Sequence, residues 1–96
     1  MYFLLRYEVV EDYVTRRAPL RAEHLALARA AAAAGTLRLG GALEPADEAL
    51  LVFFGDESVA TAFALADPYV RSGIVTRWTV RPWNVVVGAD LVDSGR

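Results

Sequence analysis

The sequence predicts a small α+β domain of order β-α-β-β-α-β, with two helices on one face of a four-stranded antiparallel sheet. Three observations carry this expectation. The chain has 96 residues, enough for one domain. Short apolar runs with strand character occupy its start, middle and end. Two segments with helical apolar spacing separate those runs in the order the ferredoxin-like arrangement requires.

Residues 2–10 open the chain as a strand, with Phe3, Leu5, Tyr7 and Val9 on one face and Leu4, Arg6 and Glu8 on the other. Glu11 and Asp12 start an acidic turn that favours a helix N-terminus. Residues 20–34 are expected to be helical, because Leu20, His24, Leu27, Ala28 and Ala31 share one stripe. The helix is allowed to begin as early as Asp12, with Pro19 at a kink or in a first turn. Gly35 is placed to end it in the left-handed conformation. Strands at 36–43 and 48–54 come next, joined across Pro45-Ala46-Asp47, and Gly40-Gly41 suggests a bulge or a close approach to the backbone. Asp56 or Ser58 caps a second helix whose stripe is Val59, Ala62, Phe63 and Ala66, and Asp67-Pro68 ends it. A short turn over 68–73 leads to a last strand over 74–87, bent at Pro82. The domain is expected to span 1–88, with 89–96 a loose C-terminal tail.

Composition excludes several chemistries. With no cysteine there is no thiolate nucleophile or disulfide, and with one histidine a zinc site is not expected. All ten basic residues are arginine, so a Schiff-base lysine is excluded. A net charge of −2 gives no general attraction to nucleic acid or anionic membranes. RNA-recognition domains share this element order, but here the third strand, Leu50-Leu51-Val52-Phe53-Phe54, lacks their basic residue. No apolar run approaches the roughly 18 residues that span a bilayer. No secretory leader is visible, so a cytoplasmic protein is expected.

Leu50 to Phe54 and Val85 to Val87 are apolar on both sides of their strands. A sheet covered by helices on one face should alternate, so the second face is expected to be covered by a second copy of the chain.

His24 and Asp67 are the candidate catalytic pair. In a βαββαβ fold the first helix and the end of the second can be neighbours, and a carboxylate on one imidazole nitrogen leaves the other free to act as a base. Each also has a structural reading. His24 can be a boundary imidazole satisfied locally, and Asp67 can cap the turn that Pro68 begins. Arg21 is a candidate for holding a substrate carboxylate or enolate, and Tyr69 and Trp83 are candidates for lining a pocket. Ser58 and Thr61 read as caps or surface residues.

Arg21-Ala22-Glu23-His24-Leu25, Gly40-Gly41, Ala66-Asp67-Pro68-Tyr69, Gly73 and Trp83 together resemble the YCII-related family, in that order and separation. Arg77-Trp78-Thr79-Val80 and Trp83 to Gly88 extend the resemblance over residues 2–88. The resemblance implies a dimeric α/β barrel of ferredoxin-like subunits and a site with a His–Asp pair, matched here by His24 and Asp67. Ala42 stands where many members have proline. The expected function is a cofactor-independent lyase, isomerase or dehalogenase acting on a small cyclic or aromatic acid. The alternative is a non-catalytic module that binds a small molecule in the same pocket.

Overall fold

A computed structural model describes residues 1–88 of the chain; the expected tail at 89–96 lies outside the described residues. The elements are β1 (Tyr2–Val9), α1 (Tyr13–Arg16), a 3-10 turn (Ala18–Leu20), α2 (Arg21–Ala33), β2 (Leu37–Ala42), β3 (Glu48–Phe54), α3 (Glu57–Ala66), α4 (Pro68–Arg71) and β4 (Val75–Trp83). The strands form one antiparallel sheet in the order β2-β3-β1-β4, the ferredoxin-like arrangement predicted from the element order.

Alternation along β1 decides which face is covered. Phe3, Leu5 and Tyr7 are buried, as are Ala49, Leu51 and Phe53 on β3, and the register sets them on the same face. Ala60, Phe63 and Ala64 of α3 close the core above them. α2 lies toward the β2 side and buries no residue completely; Leu27, Ala28 and Ala31 are its partly buried contacts with the core. That thin packing leaves room between α2 and the sheet, and the candidate site occupies it.

Local chemistry sets the helix ends. Gly35 has φ +84°, its N–H donates to Ala32 and the Thr36 N–H donates to Ala31, the paired bonds of a Schellman ending. Asp56, rather than Ser58, caps α3, accepting from the Ser58 N–H at 3.0 Å and from the Ser58 hydroxyl. Pro19 divides the first helical segment, so α1 and the 3-10 turn precede α2 instead of extending it. The predicted turn after Pro68 is a single helical turn, α4.

Two strand expectations need correction. β4 ends at Trp83 and not at residue 87, because Trp83 already pairs with Tyr2 and β1 has no further residue to offer. The irregularity in β2 falls between Leu37 and Leu39, ahead of the glycine pair. Gly40 packs against Leu51, and a Cβ there would stand 3.5 Å from its Cγ, an ordinary contact.

The other sheet face is divided by chemistry. Tyr2, Leu4, Leu39, Leu50, Val52 and Phe54 make an apolar end, with Leu39 72% exposed. At the other end Arg6 makes two 2.8 Å bonds to Glu48, and Glu8 stands between Arg6 and Arg77. No helix among the described residues is long and apolar enough to cross a membrane.

Candidate active site

The site begins at the junction of α3 and α4. Asp67 precedes a proline, which disfavours the α region, and takes φ −71°, ψ 123°. This extended residue stops α3 and turns its carboxylate back over the next helical turn. Its Oδ1 accepts from the Tyr69 N–H at 3.0 Å, so Asp67 does cap α4. The capping carboxylate is fully buried, at 0% exposure, and needs further partners to be tolerated there. It has two. The Tyr7 hydroxyl on β1 donates to Oδ2 at 2.7 Å, and His24 Nδ1 on α2 stands 2.9 Å from Oδ1 and 3.0 Å from Oδ2. The capping role and the imidazole contact, which read as alternatives in the sequence, are served by one side chain.

A carboxylate offers only acceptors, so His24 donates from Nδ1 and the neutral ring keeps its lone pair on Nε2. The ring is held on three sides. It stacks on Tyr69 with centroids 3.9 Å apart and planes 8° from parallel, and Phe63 meets it edge-on at 6.3 Å. Its side chain retains 14% exposure, toward the space between α2 and the sheet. Burial, with the Asp67 charge beside it, pushes the Tyr7 phenol far above its ordinary value. Tyr69 is also shifted up, by burial first and then by Tyr13, with Arg21 and Arg17 opposing. Both phenols therefore stay protonated at neutral pH, and the Tyr7 hydroxyl donates to Asp67.

His24 opens onto a cleft of about 320 Å³, within the range of small-molecule sites. One wall is α2, with Leu25, Ala28 and Ala32; the other is Gly40, Gly41 and Leu51. Arg17, Arg21 and Arg38 border it, and among the described residues no acidic side chain lines it. The structure thus brings His24, Asp67, Tyr69 and Arg21 to one place. Trp83 is not with them: it pairs with Tyr2, lies on the opposite sheet face and is 47% exposed. Within one subunit it does not line the cleft. Sequence reasoning passed over Tyr7, Tyr13 and Arg17, whose guanidinium lies 5.0 Å from the Tyr13 ring centroid. One signal was available for Tyr7: a tyrosine on the buried side of a strand must find a partner for its hydroxyl. Among the described residues, no three His, Asp or Glu side chains converge as metal ligands.

A small α+β domain with a buried carboxylate–imidazole pair at the side of an open cleft is equipped to move a proton or hold a small ligand. This chain belongs to the YCII-related domain family, whose match covers residues 1–84. Its structure is similar to that of 5-chloro-2-hydroxyhydroquinone dehydrochlorinase (TftG) from Burkholderia phenoliruptrix AC1100, solved in complex with 2,5-dihydroxybenzoquinone. The TM-score is 0.74, over 88% of this chain and 94% of that chain, at 19% identity. At that identity the likeness establishes the fold. No curated protein matches the sequence.

Proposed function

We propose that the chain is a cofactor-independent acid–base enzyme of the lyase, isomerase or dehalogenase type, acting on a small cyclic or aromatic acid. One observation carries the reading: a fully buried Asp67 takes Nδ1 of the only histidine, which leaves Nε2 as the nitrogen available to a ligand in the cleft. His24 removes a proton from a ring carbon or hydroxyl of the substrate. The electron pair released then moves a double bond or expels a leaving group as its anion. The imidazolium that forms is stabilised by Asp67, whose own position Tyr7 and the Tyr69 N–H maintain. Arg21 at the cleft counters the negative charge that develops on the substrate. The neighbour's action on a hydroxylated, chlorinated six-membered ring supports the choice of a ring substrate.

The same reading includes a homodimer built through the open sheet face. The apolar end formed by Leu39, Leu50, Val52 and Phe54 gives a second copy an apolar surface to cover, and pairing two sheets completes the α/β barrel. The test is a panel of hydroxylated and chlorinated ring compounds incubated with the wild-type chain and with His24→Ala, followed by mass spectrometry and chloride release. Conversion by the wild type and not by the variant supports the proposal. Equal conversion by both overturns it, and binding without conversion reduces the site to a ligand-holding one.

A further inference from the structure

Tyr69 carries a feature that the acid–base reading does not use. Its hydroxyl oxygen is the one buried side-chain polar atom, among the described residues, without a hydrogen-bond partner. A buried donor left unmatched is uncommon and calls for an explanation. The ring is stacked on His24 at 3.9 Å and met edge-on by Tyr13 at 5.8 Å, which fixes where the hydroxyl stands. Tyr69 also lines the cleft, where Arg17 and Arg21 flank it on the approach from α1 and the start of α2.

Neither arginine has a carboxylate partner among the described residues; Arg17 lies over Tyr13, and Arg21 is exposed at the first position of α2. The two guanidinium groups offer only donors, and the protonated phenol has an O–H to donate beside them. Facing them, the cleft is walled by Ala28, Leu51 and the bare backbone of Gly40 and Gly41, which suits a flat apolar body. A ligand that satisfies both halves has a planar ring and one anionic oxygen group.

We infer that Arg17, Arg21 and the Tyr69 hydroxyl form an anion seat that selects aromatic carboxylates, holding the ring against the glycine wall with His24 beside it. This rests on the reading of the cleft as the substrate site and adds the group by which the substrate is recognised. It assigns Tyr69 a contact with substrate beyond its backbone contact with Asp67.

Benzoate and benzamide separate charge from shape, since they differ only in the anionic group. Amide-resolved NMR titration of the full chain should show benzoate binding about tenfold more tightly than benzamide, the ratio expected for one charge-assisted hydrogen-bonded contact. The shifts should centre on residues 17–24 and 67–70. Tyr69→Phe keeps the ring contacts and loses no existing side-chain bond, so it should fold and lose most of that ratio; Arg21→Gln should do the same. Benzamide, whose neutral carbonyl takes only a weaker bond from the same donors, should lose much less affinity than benzoate in both. Equal affinity for the two probes, no benzoate shifts up to its solubility limit, or an unaltered ratio in Tyr69→Phe overturns the seat. If the ratio behaves as expected while no ring compound is ever converted, the seat stands and the acid–base reading falls. If ring compounds are converted while the probes bind alike, the seat alone falls.

Discussion

Replacing Tyr7 by phenylalanine tests how the buried carboxylate is held. The ring stays among its core neighbours, and the change removes one hydroxyl, which donates to Asp67 Oδ2 at 2.7 Å. A hydrogen bond to a charged acceptor contributes about 1.5–3 kcal/mol, and Asp67 at 0% exposure has no water to replace it. The expected loss is therefore about 2 kcal/mol, out of the roughly 5–15 kcal/mol that stabilises a typical domain. In a domain of this size it lowers Tm by roughly 10 °C. Tyr7 also predicts an alkaline signature. Its phenol value is raised in the native state, so above the unfolded value of about 10 the unfolded chain releases a proton that the native chain keeps. Stability from this group is complete below that pH and declines as pH rises toward the native value, by about 1.4 kcal/mol per pH unit. Tyr7→Phe removes this contribution, and the smaller one from Tyr69, of the same sign, remains. Urea unfolding followed by circular dichroism, at neutral pH and in steps above about pH 10, measures both effects. A variant within about 0.5 kcal/mol of wild type at neutral pH, or with an unchanged alkaline slope, refutes the reasoning.

His24→Ala should lower turnover of any substrate found in the ring-compound panel by about 10²–10⁴-fold, measured as kcat on a variant shown to be folded. In sedimentation velocity runs, Val52→Asp, which places a charge in the apolar end of the open sheet face, should sediment as a monomer where the wild type forms the proposed dimer. Asp56→Ala removes the α3 cap and should lower the melting temperature without altering the cleft. Its carboxyl is held below the ordinary value chiefly by the Ser58 hydroxyl. Wild type should therefore gain from Asp56 above the unfolded carboxyl value and lose that gain as pH falls, whereas the variant should not.

The fold was legible because its signals are local. Alternation along residues 2–9 and the glycine after an alanine-rich helix each determine structure within a few residues, and both appear as predicted. Pro19 and Pro68 were visible as breaks, but the conformation beyond each break depends on packing: the first divides one helical segment in two, and the second opens a turn of its own. The end of β4 is decided by a partner about eighty residues away, since Tyr2 is the last residue of β1 available to pair. The site shows the same division. His24 and Asp67 could be paired on topology and resemblance, whereas Tyr7 joins them from 60 residues away with no motif to mark it. Trp83 was a candidate for lining the pocket as a large aromatic, yet strand alternation from Trp78 through Val80 to Pro82 already set it on the other face.

In the proposed mechanism Asp67 fixes the His24 tautomer and so leaves Nε2 as the base. Long-range ¹H–¹⁵N correlation of the His24 ring in its neutral form tests it directly, in wild type and in Asp67→Asn. The expected spectrum has a protonated Nδ1 and a bare Nε2, and the two exchange character in Asp67→Asn, where the side-chain amide donates toward Nδ1. A wild-type ring protonated on Nε2, or a tautomer indifferent to the Asp67 change, would contradict the account.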